Sequence, residues 1–267
     1  SLQFVARGAR VVYVPYGIEI SATSAGQRDH FNPCVVENAW RVYTSSYGIY
    51  DGYLKFCRNR HAVRVTGSPK FDALFCRDKY PISEEYRKLA AGKRIVVWKM
   101  HFPKRISDQG SSRLITPDME EYISFADDMD QFDNLFFVVL PHPKMIGRMT
   151  DHDVQGEGKL IEQVKKLMEI IQGKPNATID TSVDYRHSLF HADMIIMDRS
   201  ATMIEAAMLD VPMLVMNPKN GSEKMVQPVE QVLSYCRQGT TCLDMCAFLR
   251  EPFVDEEIVK RKEERSE

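Results

Sequence analysis

The feature that most constrains the fold is an alternation of short, almost wholly apolar runs with longer amphipathic stretches. The clearest apolar run is residues 135–140, in which every residue is hydrophobic. A strand without a polar face is buried on both sides, as in a parallel sheet covered by helices. The pattern therefore predicts an α/β protein with a doubly wound parallel sheet. The predicted strands are residues 10–14, 62–66, 94–98, 135–140, 177–179, 194–197 and 212–216, and the predicted helices are residues 83–91, 117–131, 159–171, 202–209 and 228–236.

The distribution of these elements predicts two domains and a tail. Residues 83–250 hold five strands with their helices, enough for a complete Rossmann-like domain. Residues 1–82 hold two clear strands, so we expect part of a second Rossmann-like domain there. Residues 251–267 are predicted to form a charged helical tail. Because the sequence begins at Ser1 without an initiator methionine or a secretory signal, we expect it to be a piece of a longer polypeptide.

Composition excludes several classes of protein. The 267 residues include 35 Lys+Arg and 37 Asp+Glu, a net charge of −2, which argues against duplex nucleic acid as the main partner. The apolar run 135–140 is too short to cross a bilayer. The six cysteines lack the spacing of a zinc site, so we expect reduced thiols, no metal site and a cytoplasmic protein.

The strongest local motif is Asp198-Arg199-Ser200-Ala201-Thr202, which follows a predicted buried strand and opens a predicted helix. Ser200 or Thr202 is expected at the N-cap or in the first turn, where backbone amides lack intrahelical partners. Those amides and the helix dipole favour phosphate oxygens, and Arg199 could add a forked donor. The alternative is a capped helix without a ligand.

Two histidines follow other predicted strands. His142 lies between Pro141 and Pro143, which fix the backbone around it, and a rigid imidazole there suits phosphate binding or proton transfer. His101 follows the strand 94–98, and we expect it to face the same crevice together with Lys99. The alternative for each ring is a packed, hydrogen-bonded histidine.

Two further segments are open to more than one interpretation. Gly67 lies in a turn after the strand 62–66, where it could either join two domains or approach a ligand closely. Residues 104–116 are polar and are expected to form a surface loop, with a mobile lid as the alternative. The glycine-rich dinucleotide and Walker motifs are absent, as are Gly-x-Ser-x-Gly and His-Glu-x-x-His.

In this order, the motifs resemble the CDP-glycerol glycerophosphotransferase family of teichoic-acid and capsule polymerases. The resemblance covers about residues 10–235 and rests on the Gly-x-Pro-x-x-Asp block within 65–74, residues 95–102, the Pro-His-Pro motif and residues 198–202. It implies a GT-B architecture, in which two Rossmann-like domains bind a nucleotide donor, held mostly by the C-terminal one. It also implies transfer of a polyol phosphate from a CDP donor, with no required metal or other cofactor.

The resemblance also implies roles for individual residues. His142 would contact the donor diphosphate, and Ser200 and Thr202 would cap it from the helix start. Asp198 would shape the turn before them. Glu205 could hold a ribose hydroxyl, by analogy with related GT-B enzymes.

One position departs from the family pattern. The family commonly has a His-Gly pair in the N-terminal domain, whose histidine is the proposed base, and here Tyr16 precedes Gly17. A tyrosine, with an ordinary pKa of about 10, is a poor base at neutral pH. His30 or Asp29 could serve instead, or the acceptor could differ. His101 matches a histidine often seen after the first strand of the C-terminal domain.

Three functions remain open at this point. The leading one is transfer of glycerol phosphate from a CDP-activated donor to a cell-envelope or capsule polymer, at the inner face of the plasma membrane if the acceptor is lipid-linked. The second is a nucleotide-sugar glycosyltransferase or epimerase of the same fold. The third is a non-catalytic nucleotide-binding fragment of a larger polymerase.

Overall fold

A computed structural model describes residue 3 and residues 6–23, 26–28, 31–108, 111–147, 149–154, 157–221 and 223–251. The chain forms two compact units. Unit 1 comprises Ser1–Phe75, Ser107–Ser111 and Glu223–Val232, and unit 2 comprises Cys76–Ile106, Ser112–Ser222 and Leu233–Glu267. The predicted tail beyond residue 251 lies outside the described residues. The division differs from the predicted boundary at 82/83 chiefly because residues 223–232 return to unit 1, a long-range contact that no local pattern reports.

Unit 1 is built on a three-stranded parallel sheet in the order β1-β2-β3. Its elements are β1 (Val12–Tyr13), α1 (Pro33–Val36), β2 (Arg41–Thr44), α2 (Tyr47–Leu54), a 3₁₀ turn (Arg60–Ala62), β3 (Val63–Val65) and α3 (Pro69–Asp72). A further 3₁₀ segment, Ala73–Lys79, follows α3. The sequence predicted β1 and β3 but not the central strand β2, in which buried and half-buried residues alternate.

The core of unit 1 combines aromatic rings with buried polar groups. The rings of Phe31 and Tyr53 are wholly buried, with centroids 4.8 Å apart. The returning segment pairs with the chain near Ser21, where the Glu223 carboxylate accepts hydrogen bonds from the hydroxyls of Ser21 and Thr23. Unit 1 therefore depends on polar contacts as well as on apolar burial.

The remaining elements lie wholly or partly in unit 2. They are α4 (Glu84–Ala90), β4 (Arg94–Met100), β5 (Arg105–Asp108), β6 (Ser111–Leu114), α5 (Met119–Asp128), β7 (Leu135–Pro141), α6 (Gly158–Gln172), β8 (Ala177–Ile179), α7 (Arg186–Leu189), β9 (Met194–Met197), α8 (Met203–Ala207), β10 (Met213–Met216), α9 (Gln227–Leu233, all but its last residue in unit 1), β11 (Arg237–Gly239) and α10 (Cys242–Arg250). Short 3₁₀ turns occupy Met129–Gln131 and Pro143–Met145.

Six of these strands form one parallel sheet in the order β11-β10-β9-β4-β7-β8. Read from β8, the strands follow one another as third, second, first, fourth, fifth and sixth in the chain, which is the order of dinucleotide-binding Rossmann sheets. Every residue of β7, β9 and β10 is buried. The predicted fold class, an α/β chain with a doubly wound parallel sheet, is confirmed.

The core of unit 2 centres on β4. Trp98 is wholly buried and meets the rings of Tyr122 and Phe125 edge to face, with centroids 5.3 and 5.0 Å away. Both partner rings lie on α5. This packing fixes α5 against the sheet and holds the end of β4 in place.

Several local predictions need correction. Residues 104–116, expected to be a loop, contain β5 and β6, which pair with each other. The predicted helix 202–209 is shorter, and β11 and α10 were not predicted. The polar sequence of β11 suits an edge strand but gives no hydrophobic signal. None of the six cysteines, all of which lie within the described residues, forms a disulfide bond.

The described residues contain neither a membrane-spanning helix nor a group of side chains suited to a metal ion. None of the helices there is long and apolar enough to span a membrane. No group of three His, Cys, Asp or Glu side chains in this part of the chain could hold a metal ion.

Candidate functional site

The candidate site lies in unit 2 at the carboxyl ends of β4, β7 and β9. The strand order reverses between β4 and β9, and ligands of open α/β sheets bind outside such a switch point. His101 follows β4, His142 follows β7 and Asp198 follows β9. The backbone hydrogen bonding between β4 and β7 continues past the end of β7, where the His142 amide donates to the Met100 carbonyl at 2.8 Å. The sheet therefore brings these three predicted site residues together.

Asp198 is the buried anchor of this edge. Its side chain is wholly buried, and its carboxylate accepts hydrogen bonds from the His101 amide at 2.8 Å and from the Tyr122 hydroxyl at 3.0 Å. Burial raises the pKa of Asp198, whereas burial lowers the pKa of the neighbouring Lys99. The carboxylate thus fixes the backbone at His101 and offsets the charge of Lys99, while Tyr122 links the site to the core.

The two imidazoles lie side by side. The ring centroids of His101 and His142 are 4.9 Å apart, and the ring of Phe102 lies 4.5 Å from the first and 4.8 Å from the second. Burial lowers the pKa of His101 to about 3 and that of His142 to about 4. Nearby positive charges add to both shifts: Arg199 and Lys99 act on His101, and Lys99 acts on His142. Both rings are therefore neutral at pH 7.

Each imidazole also has a backbone partner at Nδ1. The Lys144 amide donates to Nδ1 of His142 at 3.2 Å, and Nδ1 of His101 lies 2.8 Å from the Phe102 carbonyl oxygen. Lys144 forms an ion pair with Asp153, and its ammonium lies 4.8 Å from the centroid of the Phe102 ring. The site is thus a set of adjoining rings with Lys99, Lys144 and Arg199 nearby.

The segment after Asp198 places Thr202 at the N-cap position of α8, as expected, but the amides of Thr202 and Met203 are bonded within the turn. Thr202 is the N-cap residue of α8 but makes no side-chain cap bond; instead its hydroxyl lies 2.8 Å from that of Ser200. The Thr202 amide donates to the Ser200 hydroxyl at 3.3 Å, and the Met203 amide donates to the Ser200 carbonyl at 3.1 Å. The amides of Thr202 and Met203 are therefore already satisfied. The side chains of this turn that carry hydrogen-bond donors are the two hydroxyls and the half-buried Arg199 guanidinium.

Glu205 lies one turn into the helix and is buried. Its carboxylate accepts a hydrogen bond from the Tyr185 hydroxyl at 2.7 Å. Burial of Tyr185 and the charge of Glu205 raise the pKa of that hydroxyl. A ribose hydroxyl would share this carboxylate with Tyr185.

The two other predicted site residues belong to unit 1. Tyr16 follows β1, and its side chain is 87% exposed. Gly67 follows β3 with a φ of +82°, and a Cβ there would meet nothing within 4 Å. The alternative bases Asp29 and His30 lie outside the described residues.

Sequence reasoning missed two groups. Tyr122 is 76 residues from Asp198 and lies in an ordinary amphipathic helix, so no local signal marks it. In unit 1, Glu19 is buried with an orphaned carboxylate oxygen, Oε2, while Tyr53 donates to the other oxygen. Burial raises the pKa of Glu19 to about 7. In the sequence, the only sign that Glu19 is buried is its position between two isoleucines.

Comparison with known proteins supports the fold. No protein-family model and no curated sequence matches the chain. Among solved structures, it is similar to MnaA from S. aureus in complex with UDP (TM-score 0.55, 15% identity, 91% of this chain and 60% of that one). It is also similar to UDP-GlcNAc 2-epimerase from Neisseria meningitidis bound to UDP-GlcNAc (0.54, 12%, 91% and 61%) and to the wall teichoic acid polymerase TagF (0.52, 11%, 95% and 61%).

These likenesses show the fold, an α/β architecture with parallel sheets of the GT-B, Rossmann-like type that the family resemblance implied. The structural neighbours include both a teichoic acid polymerase and UDP-GlcNAc 2-epimerases. The chain spans about three fifths of the length of each of these three neighbours, 60 to 61%.

Proposed function

We propose that this chain is a nucleotide-dependent enzyme that transfers glycerol phosphate from CDP-glycerol to a cell-envelope or capsule polymer. The observation on which the proposal depends is the pair of neutral imidazoles at the switch point, surrounded by Lys99, Lys144 and Arg199. Polar donors and cations in this position suit the oxygens of a diphosphate. Two of the neighbours were solved in complex with UDP and with UDP-GlcNAc, which supports a nucleotide-activated donor.

The reaction would be a displacement at phosphorus. The acceptor hydroxyl oxygen attacks the β-phosphorus of CDP-glycerol, and the hydroxyl proton passes to water. The bond from that phosphorus to the bridging oxygen breaks, and CMP leaves with the electron pair. His142, together with the hydroxyls of Ser200 and Thr202, would stabilise the negative charge on the phosphate oxygens, which is the largest catalytic contribution in reactions of this kind. No metal or other cofactor is required in this scheme.

A second function is supported by the same comparisons. The UDP-GlcNAc 2-epimerases share the fold as well as TagF does, so a UDP-sugar epimerase or glycosyltransferase is the alternative. Which nucleobase the site accepts and which group it transfers depend on contacts with parts of the donor other than the diphosphate.

One experiment separates these functions. The chain is incubated with CDP-glycerol plus a polyol-phosphate acceptor, and separately with UDP-GlcNAc. Release of CMP with growth of the acceptor supports the proposal, and formation of a 2-epimer supports the alternative. Nucleotide binding without turnover, with turnover restored in a longer polypeptide that contains this chain, identifies a binding fragment.

A further inference from the structure

The two histidines of the site are held in opposite tautomers. A backbone amide can only donate, so the bond from Lys144 makes Nδ1 of His142 an acceptor. A carbonyl oxygen can only accept, so the bond to Phe102 makes Nδ1 of His101 a donor. A neutral imidazole has one protonated nitrogen, and the proton must therefore sit on Nε2 of His142 and on Nδ1 of His101.

The Nε2 atoms of the two rings differ in what they can do in a hydrogen bond. Nε2 of His142 has a hydrogen to donate, whereas Nε2 of His101 has a lone pair and accepts. Among the described residues, no hydrogen bond reaches either Nε2 atom. The ring centroids are 4.9 Å apart, so one ligand bound at this edge of the sheet can contact both rings.

We infer that the pair recognises a phosphate ester whose alcohol part bears a free hydroxyl: His142 donates to a phosphate oxygen, and His101 accepts from that hydroxyl. This inference rests on the proposed function and adds a requirement to it: the donor's esterified alcohol must carry a free hydroxyl that His101 recognises. His101 is then a specificity-determining residue.

The electrostatics of the site favour this arrangement. Burial and the nearby charges of Arg199 and Lys99 lower the pKa of His101, which keeps its Nε2 unprotonated. An imidazolium would donate from both nitrogens and could not accept from a hydroxyl. The cations around the rings attract the phosphate, and the lone pair of His101 is the acceptor left for the alcohol.

The binding test uses two pairs of probes and calorimetry at pH 8. One pair is CDP-glycerol and the propyl ester of CDP, which lacks the glycerol hydroxyls. The other is UDP-GlcNAc and the cyclohexyl ester of UDP. We expect the wild-type chain to prefer the hydroxyl-bearing member of one pair by at least about tenfold, the net effect of one hydrogen bond.

Three variants show which of the two histidines causes that preference. His101→Phe keeps a ring beside His142 but has no acceptor, and it should reduce the preference to below about threefold. His101→Gln places an amide oxygen near the position of Nε2 and should restore part of the preference. His142→Phe should weaken both members of a pair by a similar factor, because it removes the donor to the phosphate that they share.

The outcomes separate the inference from the proposed function. If none of the four probes binds, the proposed function fails and the inference fails with it. If probes bind without preference for the hydroxyl, or if His101→Phe keeps the preference, only the inference is overturned. Nitrogen-15 NMR of the unliganded chain provides a second readout: the inference requires a protonated Nε2 in His142 and an unprotonated Nε2 in His101, and the reverse pattern would contradict it.

Discussion

Unit 1 and unit 2 are both built on parallel sheets, but they treat polar groups differently. In unit 2, the strands β7, β9 and β10 are wholly buried and apolar, and the chemistry lies at their carboxyl ends. In unit 1, carboxylates lie inside the unit: Glu19 and Glu223 are 2% and 3% exposed. Both units bury carboxylates, but Asp198 and Glu205 of unit 2 accept hydrogen bonds from tyrosine hydroxyls beside the candidate site. Glu19 of unit 1 keeps one carboxylate oxygen without a partner, so the stability of unit 1 depends more on the protonation of a buried acid.

Substitution at the centre of unit 2 has the largest expected effect. Trp98→Ala removes a wholly buried indole that packs on Tyr122 and Phe125, and we expect a loss of about 3–5 kcal/mol in the free energy of unfolding. Urea denaturation followed by circular dichroism measures it.

Trp98→Phe is the matched control for that variant. The indole nitrogen of Trp98 has no hydrogen-bond partner in the described residues, so phenylalanine removes an unsatisfied donor as well as volume. We expect a clearly smaller loss than with alanine. Equal losses would show that apolar packing is not what stabilises unit 2.

Glu19 gives unit 1 a pH-dependent stability. Because burial raises its pKa to about 7 in the folded chain from the ordinary 4.5, the folded state binds the proton more tightly than the unfolded state does. The stabilisation is fully present below pH 4.5 and is lost as pH rises through about 7. The shift corresponds to about 3 kcal/mol.

Glu19→Gln tests this directly, because the amide is similar in shape and does not titrate. Urea denaturation between pH 4 and pH 8 should show a fall in wild-type stability that the variant lacks. Parallel curves for the two chains would mean that Glu19 does not account for the pH dependence.

Loss of the imidazole at the candidate site affects activity rather than stability. We expect His142→Ala to lower turnover of the proposed reaction by at least about tenfold, the lower range for one polar group that stabilises developing charge. The ring is only partly buried, so thermal unfolding should change little. Undiminished turnover would remove His142 from the mechanism.

Substitution of two glycines has the smallest expected effect on stability and gives the most closely matched comparison of the two units. Gly67 in unit 1 and Gly92 in unit 2 have φ values of +82° and +81°, and a Cβ at either would meet nothing within 4 Å. Alanine should cost about 1 kcal/mol at each, from backbone strain alone. If Gly67 approaches a ligand, only Gly67→Ala will also lower turnover; equal turnover in the two variants would exclude that role.

The sequence predicted the fold of unit 2 well because its central strands are continuous apolar runs. It missed β2, whose residues alternate, and β11, an edge strand with the sequence Arg-Gln-Gly. Both depend on neighbours that are distant in sequence. The strand ends did predict that His101, His142 and Asp198 meet, since parallel strands share one carboxyl edge.

Other parts of the site could not be predicted. The bond from Tyr122 to Asp198 and the tautomers of the two histidines depend on three-dimensional contacts with no sequence pattern. The predicted free amides at the start of α8 were wrong for Thr202 and Met203, because the Ser200 hydroxyl and carbonyl satisfy them first. A small hydroxyl residue before a helix predicts a turn, but it does not reveal which acceptor the amides choose.

The most direct test of the central claim is calorimetric titration of CDP and of UDP into the wild-type chain and into His142→Ala. The claim is that the carboxyl edge of the unit 2 sheet binds a nucleoside diphosphate through the ring at His142. We predict that one of the two nucleotides binds the wild-type chain with one-to-one stoichiometry, and that the variant binds it at least about tenfold more weakly. Equal affinity in the two chains, or no binding of either nucleotide to the wild type, would contradict the account.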